Sequence, residues 1–191
     1  MAKRICVFCS SSNLVPSRYF KIAVELGALI GRAGLTLVYG GGNVGLMGTV
    51  AVATHAAGGK VVGVIPRFML EKGLAYEQAD QLIVTDDMRE RKAVMEAQSD
   101  AFCALPGGFG TLEEILEIVT LKQLQRHAKP IVFMDVAGFY RPLQEIFEQL
   151  YRDAFMKPEF RSLYHFTCEP AEALAYLQDG PTNPAVEKWT A

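Results

Sequence analysis

Short apolar segments alternate along the chain with longer segments in which apolar residues recur at helical spacing. The short segments are rich in Val and Ile and are predicted to be strands: residues 4–9, 35–39, 60–65, 81–85, 101–105 and 130–134. The longer segments are predicted to be helices: residues 16–32, 46–57, 87–98, 111–126 and 138–153. Most of the strands are apolar throughout, which is typical of strands buried on both faces of a parallel sheet.

This alternation predicts an α/β fold: a Rossmann-like open parallel sheet with helices on both faces. The 191 residues have the length of one domain, which we place at residues 1–180, with a C-terminal tail at residues 181–191. The less regular segment 67–80 is expected to form a loop over one end of the sheet.

Composition and charge exclude several classes of protein. Half of the residues are hydrophobic, which excludes disorder for the bulk of the chain. The 19 Lys and Arg residues nearly balance the 21 Asp and Glu residues, so nucleic acid is not an expected partner. No apolar stretch approaches the roughly 18 residues of a membrane span, and no cleavable leader is evident, so we expect a cytoplasmic protein that does not bind membranes.

The cysteines and histidines do not form a ligand pattern. Cys6 and Cys9 have the spacing of a redox or zinc pair, but they lie in an apolar segment and no second pair of ligands follows. Buried structural thiols are therefore expected, and no metal site.

Two glycine-rich loops follow predicted strands, at the edge where parallel sheets bind ligands. The first, residues 40–48, contains the G-x-G-x-x-G pattern of dinucleotide-binding loops, and Gly41 and Gly42 are candidate binding residues. The acidic residue that holds the ribose in such sites is missing after the predicted strand 60–65. A dinucleotide-dependent oxidoreductase is therefore only a minor alternative.

The second loop, residues 106–111, leads into a long predicted helix. Its converging backbone N–H groups and the helix dipole suit a phosphate. The loop lacks the Lys-Ser/Thr pair of a nucleoside triphosphate site, so a monophosphate is favoured. For both loops the alternative is a tight turn without a ligand.

Glu114 has two alternative interpretations. Thr111 and Glu114 have the spacing of a capping box, in which Thr111 caps the helix and Glu114 reaches back to the backbone N–H of the cap. Alternatively, Glu114 is a carboxylate beside the phosphate site that acts on the sugar of a bound nucleotide.

Two cations interrupt an apolar helix face. Met88, Arg91, Lys92 and Met95 share one face of the predicted helix 87–98. Either the long stems of Arg91 and Lys92 extend to solvent, or both side chains point into the cleft and hold an anion.

The predicted helix 111–126 is apolar on nearly all sides, so the sheet can cover only part of it. Its apolar residues are Leu112, Ile115, Leu116, Ile118, Val119, Leu121 and Leu124. A neighbouring helix or a second subunit must cover the remainder, and we favour a two-fold homodimer.

Three blocks of sequence together resemble the LOG (LONELY GUY) family, the cytokinin riboside 5'-monophosphate phosphoribohydrolases. The blocks are residues 40–48, 88–92 and 106–114, in the family's order, within a resemblance that extends over residues 3–178. One departure is Arg89, which stands where the family commonly has His.

The resemblance implies a Rossmann-like homodimer that hydrolyses the N-glycosidic bond of a cytokinin nucleotide or AMP, giving free base and ribose 5-phosphate. It implies that Arg91 and Glu114 are catalytic and that no cofactor is used. Family members are often labelled lysine decarboxylases, but no lysine here is an evident pyridoxal phosphate ligand. The implied substrate-binding residues are Lys92, Gly107, Gly108, Phe109, Gly110, Thr111, Glu113 and Thr120. A non-catalytic carrier of nucleotide or molybdenum cofactor with the same fold is the alternative.

Overall fold

The computed structural model describes residues 3–181. It contains a sheet of seven strands whose pairings are all parallel: β1 (Arg4–Phe8), β2 (Thr36–Tyr39), β3 (Lys60–Pro66), β4 (Gln81–Thr85), β5 (Ala101–Ala104), β6 (Ile131–Met134) and β7 (His165–Thr167). The α-helices are α1 (Ser17–Arg32), α2 (Gly45–Ala56), α3 (Arg67–Leu70), α4 (Met88–Ala97), α5 (Phe109–Gln123), α6 (Arg141–Arg152) and α7 (Pro170–Asp179). No helix in this part of the chain is long and apolar enough to cross a membrane.

The strand order is β4-β3-β2-β1-β5-β6-β7, so the order reverses between β1 and β5. Helices α1, α2 and α7 pack together on one face of the sheet, and buried residues of α4, α5 and α6 form the core on the other. This arrangement confirms the predicted Rossmann-like α/β fold. Ligands of such sheets bind at the carboxyl ends of the strands beside the reversal.

The central strands are apolar throughout because both of their faces are covered. In β1, Ile5 and Val7 join the core on the side of α1, whereas Cys6 and Phe8 join the core on the side of α5. Successive side chains of a strand point to opposite faces, so a strand covered twice has no polar face. All six predicted strands are present.

Two α-helices and one strand were not predicted. Helix α3 lies inside the segment 67–80, which was expected to be an irregular loop. Strand β7 was missed because it has three residues and lies at the sheet edge. Helix α7 carried a signal, since Pro170 stands in its first turn and Leu174 and Leu177 are one turn apart. The predicted tail, residues 181–191, lies outside the described residues except for its first residue.

Candidate active site

A cleft of about 390 Å³ opens at the carboxyl ends of β1, β2 and β5. Residues 10–12, which follow β1, form one part of its lining. Gly40 after β2, the helix α4 and the first turns of α5 form much of the rest, together with the end of β1, Met47 of α2 and Met69 of α3. The cleft therefore lies where the strand order reverses, and the second glycine-rich loop forms part of it.

A buried ion pair joins helices α4 and α5 beside the cleft. Arg91 Nη1 donates to Glu114 Oε1 at 2.7 Å, and Arg91 Nε donates to the carbonyl oxygen of Val64 at 3.0 Å. The side chains of Arg91 and Glu114 are only 5% and 9% exposed. The interpretation of Arg91 as a solvent-exposed stem is therefore wrong, and its guanidinium lines the cleft.

Gly40 provides the space for the guanidinium. A Cβ atom at this position would lie 1.8 Å from Arg91 Nη2 and 2.4 Å from Met47 Cε. These distances are too short for real atoms, so a side chain at position 40 would displace the ends of the Arg91 and Met47 side chains from the positions they occupy here.

The two helices begin in different ways. Asp87 caps α4, because its carboxylate accepts hydrogen bonds from the backbone N–H groups of Arg89 and Glu90 at 2.8 and 2.9 Å. Helix α5 instead begins at Phe109, and its N-cap, Gly108, has no side chain that could accept such bonds. The backbone N–H groups of the first turn of α5 are thus left for another acceptor.

The predicted capping box at Thr111 and Glu114 is wrong. The helix begins three residues earlier than that prediction requires, with Gly108 rather than Thr111 as its N-cap, so Thr111 lies within the first turn. Thr111 is buried against Gly107, and the Glu114 carboxylate pairs with Arg91. Of the two interpretations of Glu114, the carboxylate in the cleft is the one that agrees with the structure.

Burial raises the pKa of Glu114 above the ordinary value of a glutamate, while the charge and hydrogen bond of Arg91 oppose that rise. A carboxylate with a raised pKa is a better base than an exposed one, which suits proton transfer to or from a reacting group. The neighbouring Cys9 also lines the cleft, but burial raises the pKa of its thiol, so it stays protonated.

The second glycine-rich loop is open. Cβ atoms added at Gly108 and Gly110 would meet nothing within 4 Å, and the Phe109 side chain is 94% exposed. No acidic residue stands in the first turn of α5. The uncapped N–H groups and the positive end of the helix dipole therefore face an accessible space that suits an anion.

The first glycine-rich loop is covered by the chain itself. Tyr76 N donates to the carbonyl oxygen of Gly41 at 2.9 Å, and Gly42 forms a bridge with Ala75. A Cβ atom at Gly41 would lie 2.9 Å from Ile65 Cβ. Gly41 and Gly42 thus face residues 74–76 and β3, so this loop does not present its glycines as a dinucleotide cradle would. Their role in substrate binding stays a prediction.

Lys92, Glu113 and Thr120 lie outside the cleft in this chain. Lys92 Nζ forms ion pairs with Glu113 and Glu117, on the exposed side of α4 and α5. Thr120 Oγ1 donates to the carbonyl oxygen of Leu116, and Thr120 lies about 15 Å along the helix from Gly110. The structure therefore brings Arg91 and Glu114 together with Gly108, Gly110 and Thr111, but not with these three residues. Of the remaining predicted residues of the loop, Gly107 lines a neighbouring cavity and the Phe109 side chain is exposed.

The sequence analysis missed two groups in the cleft lining. One is the run Ser10, Ser11 and Ser12, which follows β1 and faces the second glycine-rich loop; Ser10 N donates to the carbonyl oxygen of Pro106 at 3.3 Å. The rule that located the glycine loops, at the ends of parallel strands, applies equally to this run. The other group is methionines 47 and 69, for which no pattern in the sequence gave a signal.

The described residues do not bring together the side chains that would bind a metal ion or form a Schiff base. Within residues 3–181, no cluster of three or more His, Cys, Asp or Glu side chains could hold a metal ion. No lysine is among the described residues that line the cleft, whereas pyridoxal phosphate enzymes hold their cofactor through a lysine. Cys6 and Cys9 are free and buried, which confirms the prediction of structural thiols for this pair, and Cys103 is buried as well.

Comparison with known sequences places the chain in a family. The sequence model of a family described as possible lysine decarboxylase matches residues 47–177. A probable cytokinin riboside 5'-monophosphate phosphoribohydrolase, LOGL2 of Oryza sativa subsp. japonica, is 41% identical over 93% of this chain and 72% of its own length. The chain belongs to the LOG family.

Further members of the LOG family give the same result. The cytokinin riboside 5'-monophosphate phosphoribohydrolase LOG7 of Arabidopsis thaliana is 43% identical over 93% of this chain and 82% of its own length. Its relative LOG5 is 44% identical over 85% of this chain and 71% of its own length. The resemblance carried by the three sequence blocks is thereby confirmed.

Solved structures of other proteins share the fold of this LOG-family chain. The molybdenum cofactor binding protein of Rippkaea orientalis superposes with a TM-score of 0.72 at 23% identity, covering 93% of this chain and 96% of that one. A Moco carrier protein of Chlamydomonas reinhardtii gives 0.71 at 24% identity, covering 93% and 96%. At this identity the likeness shows the shared fold alone.

Proposed function

We propose that this chain hydrolyses the N-glycosidic bond of purine nucleoside 5'-monophosphates, namely cytokinin riboside 5'-monophosphates and AMP. The products are the free base and ribose 5-phosphate. The observation that carries the proposal is the buried Arg91–Glu114 pair, whose carboxylate lies one helical turn from an uncapped, open helix N-terminus. The names of the LOG-family relatives support the same reaction.

Glu114 supplies the charge that the reaction needs. Breaking the bond between C1' of the ribose and the base nitrogen leaves positive charge on the sugar, which a nearby carboxylate stabilises. Glu114 also accepts a proton from the attacking water, whose oxygen bonds to C1' while the bonding electrons of the broken bond leave with the base. The base takes up a proton from solvent, and Glu114 afterwards returns its proton to solvent, so the net reaction consumes one water. The raised pKa of Glu114 favours its role as this base.

Arg91 and the second glycine-rich loop position the reacting groups. Arg91 orients the Glu114 carboxylate through the bond at 2.7 Å. The N–H groups at residues 107–111 hold the 5'-phosphate, and that remote binding energy orients the sugar for attack. A nucleoside without the phosphate lacks this contribution and is a poor substrate.

We also propose that the active protein is a cytoplasmic homodimer. Leu112, Leu116 and Leu121 on α5 are only half-buried, and Leu124 is 37% exposed. Leu112 and Leu116 pack partly against the core of their own chain, so a partner subunit would cover less apolar surface than the sequence suggested. Light scattering measures the mass in solution, and fluorescence of a tagged chain shows its compartment; a monomer or an exported protein would contradict these proposals.

The proposed reaction is tested by incubating the protein with AMP, N6-isopentenyl-AMP and the matching nucleosides, followed by chromatography for free base. We expect base from both nucleotides and far less from the nucleosides. Nucleotide binding without release of base would contradict hydrolysis and favour the carrier alternative. Equal release from the nucleosides would contradict the role of the phosphate loop.

A further inference from the structure

A polar network outside the cleft joins helix α2 to the segment 67–80. His55 of α2 lies between two side chains of this segment, with Nδ1 at 3.0 Å from the Tyr76 hydroxyl and Nε2 at 2.8 Å from Asp80 Oδ2. Asp80 Oδ2 also accepts a hydrogen bond from Val61 N at 2.7 Å. The hydrogen bonds from His55 and Val61 hold the pKa of Asp80 below its usual range, so this side chain is a charged carboxylate.

The charge of Asp80 fixes the direction of the hydrogen bonds of His55. A carboxylate only accepts, so His55 Nε2 donates to it, and in the neutral imidazole Nδ1 accepts from the Tyr76 hydroxyl. Each polar atom of the network thus has a partner. The proposed reaction gives this network no role, because none of the three side chains lines the cleft.

Tyr76 connects the network to the first glycine-rich loop. Its hydroxyl bonds to His55, while its backbone N–H donates to the carbonyl oxygen of Gly41 at 2.9 Å. Tyr76 is buried, and its ring centroid lies 5.6 Å from that of His55. The anchored side chain of Tyr76 therefore fixes the backbone group that holds Gly41.

Gly41 lies against both supports of the Arg91 guanidinium. Arg91 Nε donates to the carbonyl oxygen of Val64 at 3.0 Å, and a Cβ atom added at Gly41 would lie 3.3 Å from the carbonyl carbon of Val64. The residue before Gly41 is Gly40, whose missing side chain leaves room for Arg91 Nη2. A displacement of Gly41 therefore changes both the acceptor of Arg91 Nε and the space around Nη2.

We propose that His55 and Tyr76 are positioning residues for the Arg91–Glu114 pair. They hold Gly41 against β3, so that the guanidinium of Arg91 stays where it orients the Glu114 carboxylate. This inference rests on the proposed function, in which Glu114 acts on the nucleotide. A misplacement of about 1 Å at the reacting groups can cost about 10²-fold in rate, even when the altered residue is remote.

The pKa of Glu114 reports on the position of Arg91. Burial raises this pKa, and the charge and hydrogen bond of Arg91 oppose the rise. If the guanidinium moves away, the opposing effect weakens and the pKa rises further. Glu113 and Lys92 also act on this pKa, and both are left unchanged in the variants of the test.

The test is an NMR titration of Glu114 in protein that carries labelled glutamate carboxyl carbons, with Glu114→Gln to assign the signal. Tyr76→Phe removes only the hydroxyl and changes no charge, whereas His55→Ala removes a partner from both Tyr76 and Asp80. We expect the pKa of Glu114 to rise by about half a pH unit or more in both variants.

The matched control is His165→Ala. His165 Nε2 also lies 2.8 Å from a carboxylate oxygen, Glu172 Oε1, and its ring also packs on a tyrosine, Tyr176. This second pair starts from β7, at the far edge of the sheet. We expect the pKa of Glu114 in His165→Ala to equal that of the parent, whatever the change in melting temperature.

Kinetics with AMP provide a second readout. We expect kcat for release of base to fall by about ten-fold or more in Tyr76→Phe and in His55→Ala. The KM should stay within about two-fold of the parent, because the phosphate loop 107–111 is not part of the network. The acidic limb of the pH–activity profile should move to higher pH together with the pKa of Glu114.

Two results would overturn the inference. One is a lower melting temperature in both variants with an unchanged pKa of Glu114, which would show that the network is only structural. The other is a change of KM alone, which would show that the network acts on nucleotide binding. A parent protein that releases no base would contradict the proposed hydrolysis, whereas the titration of Glu114 would still test the positioning of the pair.

Discussion

The two glycine-rich loops look alike in sequence and differ in what surrounds them. In the first loop, Gly45 has φ +61°, and a Cβ atom there would lie 2.4 Å from the backbone carbon of Ser11. In the second loop, Cβ atoms at Gly108 and Gly110 would meet nothing within 4 Å. The glycines of the first loop allow parts of the same chain to pack closely, and those of the second leave a helix end open.

The difference comes from residues distant in sequence. Residues 73–76 return along the first loop and occupy the hydrogen-bonding groups of Gly41 and Asn43. At the second loop, Ser10 N bonds to the carbonyl oxygen of Pro106, but Cβ atoms at Gly108 and Gly110 would still meet nothing within 4 Å. The helix that follows this loop carries Glu114 one turn further on. A glycine pattern therefore indicates close approach of something to the backbone, and only the structure shows whether that is protein or ligand.

The largest effect is expected at the carboxylate behind the open loop. Glu114→Gln keeps the shape of the side chain but removes its charge and its ability to accept a proton. We expect release of base from AMP to fall by about 10²–10⁴-fold. The matched control is Glu117→Gln, on the exposed side of the same helix. Activity of Glu114→Gln within a few-fold of the parent would show that Glu114 is not catalytic.

Arg91→Ala tests the other half of the pair through stability. The substitution leaves Glu114 buried without its cation, and breaking such a pair costs about 3–5 kcal/mol. At about 2–4 °C for each kcal/mol in a chain of this size, the melting temperature should fall clearly in calorimetry. Arg89→Ala is the control, because Arg89 is an exposed arginine on the same helix. Equal melting temperatures for the two variants would contradict the buried pair.

A pair of glycine substitutions sharpens the contrast between the loops. Gly110→Asp places a negative charge in the open first turn of α5, so the KM for AMP should rise about ten-fold or more while the fold persists. Gly45→Ala strains a residue with positive φ, at a cost of about 1–2 kcal/mol before the clash with Ser11 is counted. Kinetics should therefore show weaker binding of AMP in Gly110→Asp, and melting curves should show lower stability in Gly45→Ala.

The pH dependence of the protein should carry opposite trends for activity and stability. Because burial raises the pKa of Glu114, activity should fall as the pH drops through a value above that of an ordinary glutamate. The folded chain then binds this proton more tightly than the unfolded chain does. The contribution of Glu114 to stability is therefore greatest below the unfolded pKa and is lost as the pH rises through the folded pKa. Glu114→Gln should remove this contribution when the free energy of unfolding is measured as a function of pH.

The smallest effect concerns a residue outside the site. Lys122 on α5 is 1% exposed, its Nζ has no hydrogen-bond partner within the described chain, and burial lowers its pKa to about 8. The unfolded lysine has a pKa of about 10.4, so the free energy of unfolding should rise with pH between about 8 and about 10.4. Below the lower of these pKa values, the protein bears the full cost of burying the charged lysine. Lys122→Met should raise the melting temperature and reduce the increase of stability with pH over this range.

Most of the fold could be predicted because its signals are local. Five of the six predicted strands are buried on both faces and show as continuous apolar segments, whereas β4 lies at the sheet edge and is partly exposed. The alternation of strands with helices sets the parallel topology. Strand β7 could not be found this way, since three residues at a sheet edge bury too little apolar surface to leave a pattern. The helical turn of α3 was hidden for a related reason, because it has only four residues and none of them is fully buried.

The site could be predicted in part. Arg91, Glu114 and the loop 107–111 follow from strand ends and sequence blocks, and the structure brings them together. The partner of Glu114 could not be chosen locally, because Thr111 offers a capping interaction nearby whereas Arg91 is 23 residues away along the chain.

Gly40 links two distant positions of the chain. Its missing side chain is what lets the Arg91 guanidinium reach Glu114, since an added Cβ would lie 1.8 Å from Nη2. Across related chains, positions 40 and 91 should therefore covary, because alanine at position 40 would displace the guanidinium from the place where it meets Glu114. An alignment in which alanine at 40 regularly accompanies arginine at 91 would mean that the guanidinium can shift to make room.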